Sequence, residues 1–275
     1  MWCSLKGFIS AWFSPNARAG FCQSSSTRSL RRLGPSVPAA GAIGHRQLPS
    51  VRWSRRLVSL EQVRLYSTVR ALIEKADQQL GVIGYTEHGE RHAGLVANIS
   101  SNILKRLGRP ERVAELASIA GYLHDIGNVI NRDYHAQSGA VIAFTVLREL
   151  AMPIDEVAEI LAAIGNHHEE QGESVSDISA AIILADKSDV HRTRVRASGT
   201  IQLDIHDRVN YAAKNSFLRV HENKKLISLE VTIDTSISQV MEYFEIFLLR
   251  MLAARKAASF LSCSFELIIN GNKML

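Results

Sequence analysis

Gly121-Tyr122-Leu123-His124-Asp125-Ile126-Gly127-Asn128 is the stretch on which the reading of this chain turns. Upstream of it, Val113, Leu116, Ile119, Ala120 and Leu123 recur at helical spacing, which predicts a helix from Glu111 to about Leu123. An apolar helix that runs into an adjacent imidazole and carboxylate carries two polar groups to the edge of the core. Burying them is costly unless they meet partners of matching chemistry, and the rest of the sequence offers such partners.

On the N-terminal side, Glu87-His88-Gly89-Glu90-Arg91-His92 opens a helix predicted from Glu90 to Leu107, stopped by Gly108 with Pro110 beyond. His88 and His92 are four apart and share a face. On the C-terminal side, His135-Ala136-Gln137-Ser138-Gly139-Ala140 opens a helix from His135 to Leu150, ended near Met152-Pro153. A helix from Asp155 to Asn166 runs into His167-His168-Glu169-Glu170. Another, Ser176 to about Val190, carries Ile183-Leu184-Ala185-Asp186-Lys187-Ser188-Asp189. Ser59 with Gln62 forms a capping box for a first helix through Leu80. Five helices thus place a His or Asp at or near an apolar-to-polar boundary. Imidazole and carboxylate together are the ligand set of Zn, Fe, Mn, Co or Ni. Two such ions, about 3.5 to 4 Å apart, need a bridging carboxylate and several imidazoles, and can clamp a phosphoryl group around an activated water. Asp125 and the histidines could supply that set.

The last 75 residues change character. Ser216 to Val220 and Leu226 to Ile233 read as short strands around a Glu222-Asn223-Lys224 turn, because Leu229, Val231 and Ile233 alternate with Glu230, Thr232 and Asp234. A helix from about Ser236 to Leu261 carries Met241, Phe244, Phe247, Leu248 and Met251 on a broad apolar face, read as core, with a homodimer seam as the alternative. Phe265 to Ile269 is a final strand before Asn270-Gly271-Asn272. At the other end, residues 1 to 60 hold nine of the 32 basic residues and no acid. The remaining 23 basic residues face 27 acidic ones, so the body is mildly acidic and gives no footprint for a nucleic-acid polymer. An Arg- and Ser-rich, acid-free segment fits an organelle transit peptide. It equally fits an upstream extension read from a wrong start codon, and Arg64-Leu65-Tyr66-Ser67, the stretch resembling a cleavage site, already lies inside the first helix. The protein is therefore expected in the cytoplasm, or in a mitochondrion or plastid if the segment is a transit peptide; residues 1–58 are expected to carry no fold. No apolar run reaches the roughly 18 residues of a membrane span. Cys3, Cys22 and Cys263 form no C-x-x-C pair, which suits a reducing compartment.

The order His…His-Asp…His…His-His…Asp, with Leu123-His124-Asp125-Ile126-Gly127 as its signature element and Leu184-Ala185-Asp186-Lys187 as its closing one, resembles the HD superfamily of metal-dependent phosphohydrolases over residues 85 to 192. His167-His168-Glu169, and His135 with Gly139-Ala140, resemble elements of the HD-GYP cyclic-di-GMP phosphodiesterases. No Gly-Tyr-Pro follows, the gap from Asp125 to His135 is shorter, and His88 stands where that subfamily has Glu, so cyclic di-GMP is not implied. The body with its α+β tail is more similar to a bacterial group of stand-alone HD phosphohydrolases. The resemblance implies a mainly α chain: an HD-type helical bundle over 59–200 and a small α+β appendage over 201–275. It implies His92, His124, Asp125 and Asp186 as core ligands with Asp125 bridging, and His135, His167 and His168 completing a second metal. It makes Lys187, Arg192 and Arg194 candidates for gripping phosphate and Glu169 one for orienting water, so that Asp125, Glu169 and Lys187 form the catalytic set. The expected cofactor is a pair of divalent transition ions (Mn, Fe, Zn, Co or Ni), and the expected partner a small phosphorylated substrate such as a nucleotide.

Plainer readings stand beside these. His45, His206 and His221 read as ordinary surface or core residues, His191 as one of them or as a substrate contact, and His88 as ligand, ligand support or cap. Asp189 reads as an ion-pair partner for Arg192 at i, i+3. The Lys187, Arg192, Arg194, Arg196 run reads as a solvated face unless it meets substrate. Two other functions fit the same ligands: a di-iron oxygenase, and a non-catalytic sensor that binds a nucleotide.

Overall fold

A computed structural model describes residues 57–170, 172–196 and 204–274. The basic N-terminal segment up to residue 56, with the assignments made on it, lies outside the described residues. The chain is mainly helical with a small sheet at its C-terminal end. Seven helices come first: α1 (Leu60–Leu65), α2 (Ser67–Val82), α3 (Glu90–Arg106), α4 (Glu111–Leu123), α5 (His135–Glu149), α6 (Ile154–Gly165) and α7 (Asp177–Ser188). They are followed by α8 (Ile205–Ala212), β1 (Ala213–His221), β2 (Leu226–Ile233), α9 (Val240–Phe260), β3 (Ser264–Ile269) and β4 (Asn272–Lys273). Among the described residues, no helix is long and apolar enough to cross a membrane.

The expected first helix is two helices. The Ser59–Gln62 capping box forms as predicted, with Ser59 N–H donating to Gln62 Oε1 at 3.0 Å and Gln62 N–H to Ser59 Oγ at 3.3 Å. Tyr66 then adopts extended backbone (φ −72°, ψ 116°), and its hydroxyl donates to Glu149 Oε2 on α5 at 2.6 Å. That tertiary bond turns the chain between α1 and α2 at a point with no local breaker.

The helices pack closely where small residues allow. A Cβ on Gly121 would stand 3.2 Å from the Ala97 backbone, so this glycine lets α4 lie against α3. Gly127, in the short 3₁₀ turn Ile126–Val129, is more constrained: a Cβ there would stand 2.0 Å from the His135 carbonyl oxygen and 2.4 Å from Gly139 N. The turn after Asp125 is therefore pressed onto the first turn of α5.

The sheet runs β1-β2-β3-β4, with β1 and β4 antiparallel to their neighbours and β2 parallel to β3. The parallel pair is joined through α9, because parallel strands need a long crossover. On β2, Ile227, Leu229, Val231 and Ile233 are buried, as their alternation predicts, and a single apolar core extends from the helices into this sheet. The β3–β4 turn takes positive φ at Asn270 (51°) and Gly271 (79°), the pairing that suits a two-residue hairpin. On α9 the buried stripe is Tyr243, Phe247, Met251, Ala254 and Ala258 at i, i+4 and i+3 steps. Met241 and Leu248, expected on the apolar face, are exposed (67% and 49%), because seven residues apart they define a different stripe. Helix α8 was not foreseen: Asp204 caps it by accepting from His206 N and Asp207 N.

Candidate metal centre

His92 lies in the first turn of α3, where Gly89 precedes the helix and admits its close approach to Asp77. His124 caps the C-terminus of α4, and Asp125 follows as the chain turns. His135 is the first residue of α5, aimed by Tyr134 in left-handed backbone (φ 58°). His167 follows the end of α6, and Asp186 sits in the last turns of α7. All six are buried.

Their rings share one orientation. His124 Nδ1 donates to the Gly121 carbonyl at 2.7 Å, His135 Nδ1 to Arg132 O at 2.8 Å, and His167 Nδ1 to Ile164 O at 2.7 Å. His92 Nδ1 meets Asp189 Oδ2 at 2.7 Å. An imidazole whose Nδ1 carries the hydrogen presents a lone pair at Nε2. The Nε2 atoms converge, 3.3 Å apart for His92 and His124 and 3.2 Å apart for His135 and His167. Asp125 stands between the two pairs. Its Oδ2 is 3.2 Å from His124 Nε2 and 3.6 Å from His92 Nε2, while its Oδ1 is 3.4 Å from His135 Nε2 and 3.8 Å from His167 Nε2. Asp186 Oδ1 faces the first pair at 3.4 and 3.9 Å.

Lone pairs and carboxylates aimed at one another across buried space need a cation among them. Electrostatics agree. Burial, then His124 and His135, hold the His167 ring well below its ordinary pKa, and burial brings His135 down to about 4. Burial would raise Asp125 and Asp186, but the histidines, and Lys187 for Asp186, hold both well below the carboxylate range. The His92 ring is raised instead: burial and Arg194 oppose its proton, and Asp186 and Asp189 outweigh them. Donor atoms of His92, His124 and Asp186, and again of His124, Asp125 and His167, lie within 4.8 Å of one another, so the residues fit a bound metal.

The other expected ligand, His168, lies apart from both donor groups. Its ring packs edge-on against His135 at 5.0 Å, because adjacent residues leaving α6 diverge. It faces a cavity of about 670 Å³ that His88, Arg132, Glu169, Arg194 and Arg250 also line. Glu169 Oε2 accepts from Lys187 Nζ at 2.5 Å and its Oε1 from Arg250 Nε at 3.3 Å, which hold its carboxyl low in spite of burial. Lys187 Nζ also reaches Asp186 Oδ2 at 2.6 Å, so it secures a ligand rather than facing open space. Arg194 is buried, donating to Glu87 O at 3.2 Å and Asp189 O at 2.9 Å. Arg192 stands off the cavity, stacked over Tyr211 at 5.3 Å. The expected Asp189–Arg192 pair does not form, since α7 ends at Ser188 and helical i, i+3 geometry ends with it. Asp189 instead takes Arg91 at 2.9 Å and orients the His92 ring. His88 Nδ1 meets Thr86 O at 2.6 Å, and burial, then Arg194, keep its ring neutral.

Arg132 and Arg250 were missed. Arg132 lies three residues before His135, and Arg250 is the one charge in the apolar run Ile246-Phe247-Leu248-Leu249-Arg250-Met251-Leu252. That isolation was the available signal. His206, read as an ordinary residue, also stands on the cavity wall.

Residues 89–209 match the HD domain family. The uncharacterized protein MJ1020 of Methanocaldococcus jannaschii is 32% identical over 139 residues, 42% of this chain and 53% of that protein. Ribonuclease Y of Lawsonia intracellularis is 30% identical over 135 residues, 43% of this chain and 24% of that protein. The chain thus spans about half of the first relative and a quarter of the second. The matched segment holds every buried histidine and carboxylate of the centre, so it is within an HD domain, over residues 89–209, that this chain builds the site.

Proposed function

We propose that this protein is a metal-dependent phosphohydrolase that cleaves a small phosphorylated substrate, a nucleotide or another phosphoester or phosphoanhydride, at a dinuclear centre. The observation that carries the reading is the position of Asp125, whose two oxygens each face a separate pair of imidazole Nε2 atoms. A carboxylate so placed is suited to bridge two ions. His92, His124 and Asp186 would hold one, and His135 and His167 the other. Bound ions supply an acidified water and neutralise phosphoryl oxygens.

The protein's own groups do the rest. The Nδ1 hydrogen bonds fix each ring so that Nε2 faces inward, an arrangement that raises ligand basicity and fixes orientation. Lys187 holds Asp186 and Glu169 in place. Glu169, kept ionised by Lys187 and Arg250 at the cavity edge, is suited to orient a water rather than to take its proton. The cavity volume lies in the range of small-molecule sites, which favours a compact substrate over a polymer.

The test is metal analysis of the full chain, purified without chelator, for wild type and for His124→Ala/Asp125→Ala. About two equivalents in wild type, lost in the variant, support the dinuclear reading. Phosphoesters are then screened under nitrogen and under air. A short RNA belongs in the screen, because one relative is named a ribonuclease. Hydrolysis that does not depend on oxygen supports the proposal. Substrate loss only in air, with iron bound, means an oxygenase. A metal-free wild type that binds nucleotides means a sensor.

A further inference from the structure

The metal centre leaves one wall of its cavity unexplained. Arg132, Arg194 and Arg250 come from three separate places: the loop before α5, the 3₁₀ turn Arg192–Arg194, and α9, which lies outside the matched family segment. Each is anchored by only part of its guanidinium. Arg132 uses Nη1, toward Asn128 Oδ1 at 3.3 Å and His135 Nε2 at 3.4 Å, while its plane lies over Tyr85 at 5.4 Å. Arg250 uses Nε, toward Glu169, and lies over Phe247 at 5.1 Å. Arg194 uses Nε and Nη1, and its Nη2 is buried without a partner in a side chain only 2% exposed. Among the described residues, Nε and Nη2 of Arg132, both Nη of Arg250 and Nη2 of Arg194 make no hydrogen bond to protein. A buried guanidinium nitrogen left unmet is costly, and three stacked or half-buried forks held open toward one cavity are suited to a ligand's oxygens.

Charge points the same way. Asp189 is shared by Arg91, Arg194 and His92, and Glu169 by Lys187 and Arg250. The carboxylate nearest Arg132 is Asp125, at 3.9 Å, and Asp125 is already committed to the imidazoles. The other carboxylates that line the cavity, Asp133, Glu170 and Asp204, are exposed, and no ion pair joins them to these arginines. Like-charge proximity registers on Arg194, whose pKa is lowered by burial although Asp189 opposes it, with Arg250 adding to the fall.

We propose that Arg132, Arg194 and Arg250 form an anion subsite beside the metal centre that holds a second phosphate group of the substrate. The favoured substrates are then diphosphates, or molecules with two phosphate groups, rather than simple monophosphate esters. This rests on the hydrolase reading above. The attacked phosphoryl group belongs at the Asp125 end of the cavity, where bound ions would take its oxygens, and the spare guanidinium nitrogens of the three arginines are then left for a second phosphate group. Arginine suits the task because its planar fork takes two oxygens of a phosphate at once.

The experiment is calorimetric titration of the purified protein with inorganic pyrophosphate and with inorganic phosphate, for wild type, Arg132→Gln, Arg250→Gln and Arg250→Lys. Bound metal is measured before and after each titration, since pyrophosphate can strip ions. Wild type is expected to bind pyrophosphate more tightly than phosphate. Each Gln variant is expected to lose about tenfold or more of the pyrophosphate affinity with its metal content unchanged, the loss of a charge-assisted pair. Arg250→Lys is expected to recover part of the loss, keeping the charge but not the fork. Unchanged pyrophosphate affinity in both Gln variants, at wild-type metal content and thermal midpoint, overturns the proposal, as does equal affinity of wild type for the two anions. A wild type without metal sinks the hydrolase reading while the arginine titration still gives its own answer, because binding rather than turnover is read.

Discussion

Two walls of one cavity are built on opposite plans. Around Asp125 every imidazole is held at Nδ1 by a backbone or carboxylate oxygen, so that its Nε2 points inward. On the far wall the guanidiniums of Arg132, Arg194 and Arg250 are held by one edge, with nitrogens left over. The first plan suits something that stays, since fixed rings bind an ion without reorganising. The second suits something that comes and goes. Burial follows the difference at two of the three arginines: the four converging histidines are at most 2% exposed, as is Arg194, while the Arg132 and Arg250 side chains each keep 17%.

The largest effect should follow from breaking the fixed wall at its centre. Because Asp125 faces both imidazole pairs, His124→Ala/Asp125→Ala is expected to remove bound metal and to lower turnover by about 10³-fold or more, several kcal/mol of charge stabilisation. Elemental analysis beside a turnover assay checks it, and a variant that keeps both metal and activity would break the comparison outright. Gly127→Ala tests the backbone that supports this wall. Its Cβ would meet the His135 carbonyl at 2.0 Å, and backbone cannot rotate aside, so a loss of about 3 kcal/mol or more is expected, at or beyond the upper end for overpacking. Denaturant unfolding measures it, and a midpoint within error of wild type would show that the turn has slack. Asp189→Asn sharpens the comparison more gently. It weakens the hold on His92 Nδ1 without touching Nε2, and the expected fall in metal affinity is about 10- to 100-fold, read by competition with a chelator. No fall would mean that Asp189 serves Arg91 and Arg194 alone.

The same contrast explains what could be read from sequence. The fixed wall was legible because its parts are local: His124-Asp125 at the end of an apolar helix, His135 and His92 at helix starts, and Asp186 after an apolar run each show as a change of polarity at a helical period. Of the arginine wall only Arg194 was, as a candidate for gripping phosphate. Arg250 owes its place to α9 packing on α7, a contact between residues far apart in sequence, and periodicity gives the face of a helix but not its neighbour. Asp189 was misassigned to Arg192 for a related reason, since the i, i+3 rule presumes a helix that here has ended. His168 was grouped with His167 through the family resemblance, and the structure sets its ring against His135 at 5.0 Å, outside the two donor groups. The break at Tyr66 is fixed by Glu149, 83 residues away, and leaves no local mark.

A third, outlying cluster gives the smallest expected effect and shows that acid sensitivity is not the property of the centre alone. Glu242, at the start of α9, accepts from Arg208 Nη2 at 2.5 Å and from Ser238 Oγ at 2.6 Å. Those bonds, Arg208 first, bring its carboxyl down to about 2, from an unfolded value of about 4.3. A carboxylate whose pKa falls on folding adds stability that is present above the unfolded value and is lost as the pH drops through the folded one. The advantage of wild type over Glu242→Gln should therefore be flat above about pH 5, shrink between about pH 4 and 2, and vanish below. Because the group is partly open to solvent, physiological salt should reduce that advantage, whereas the buried Asp125 centre should hardly respond to it. Thermal midpoints of the two proteins across that range, at low and physiological salt, decide the matter. An advantage that persists unchanged below pH 2 would assign the stabilisation to the packing of Glu242 rather than to its charge.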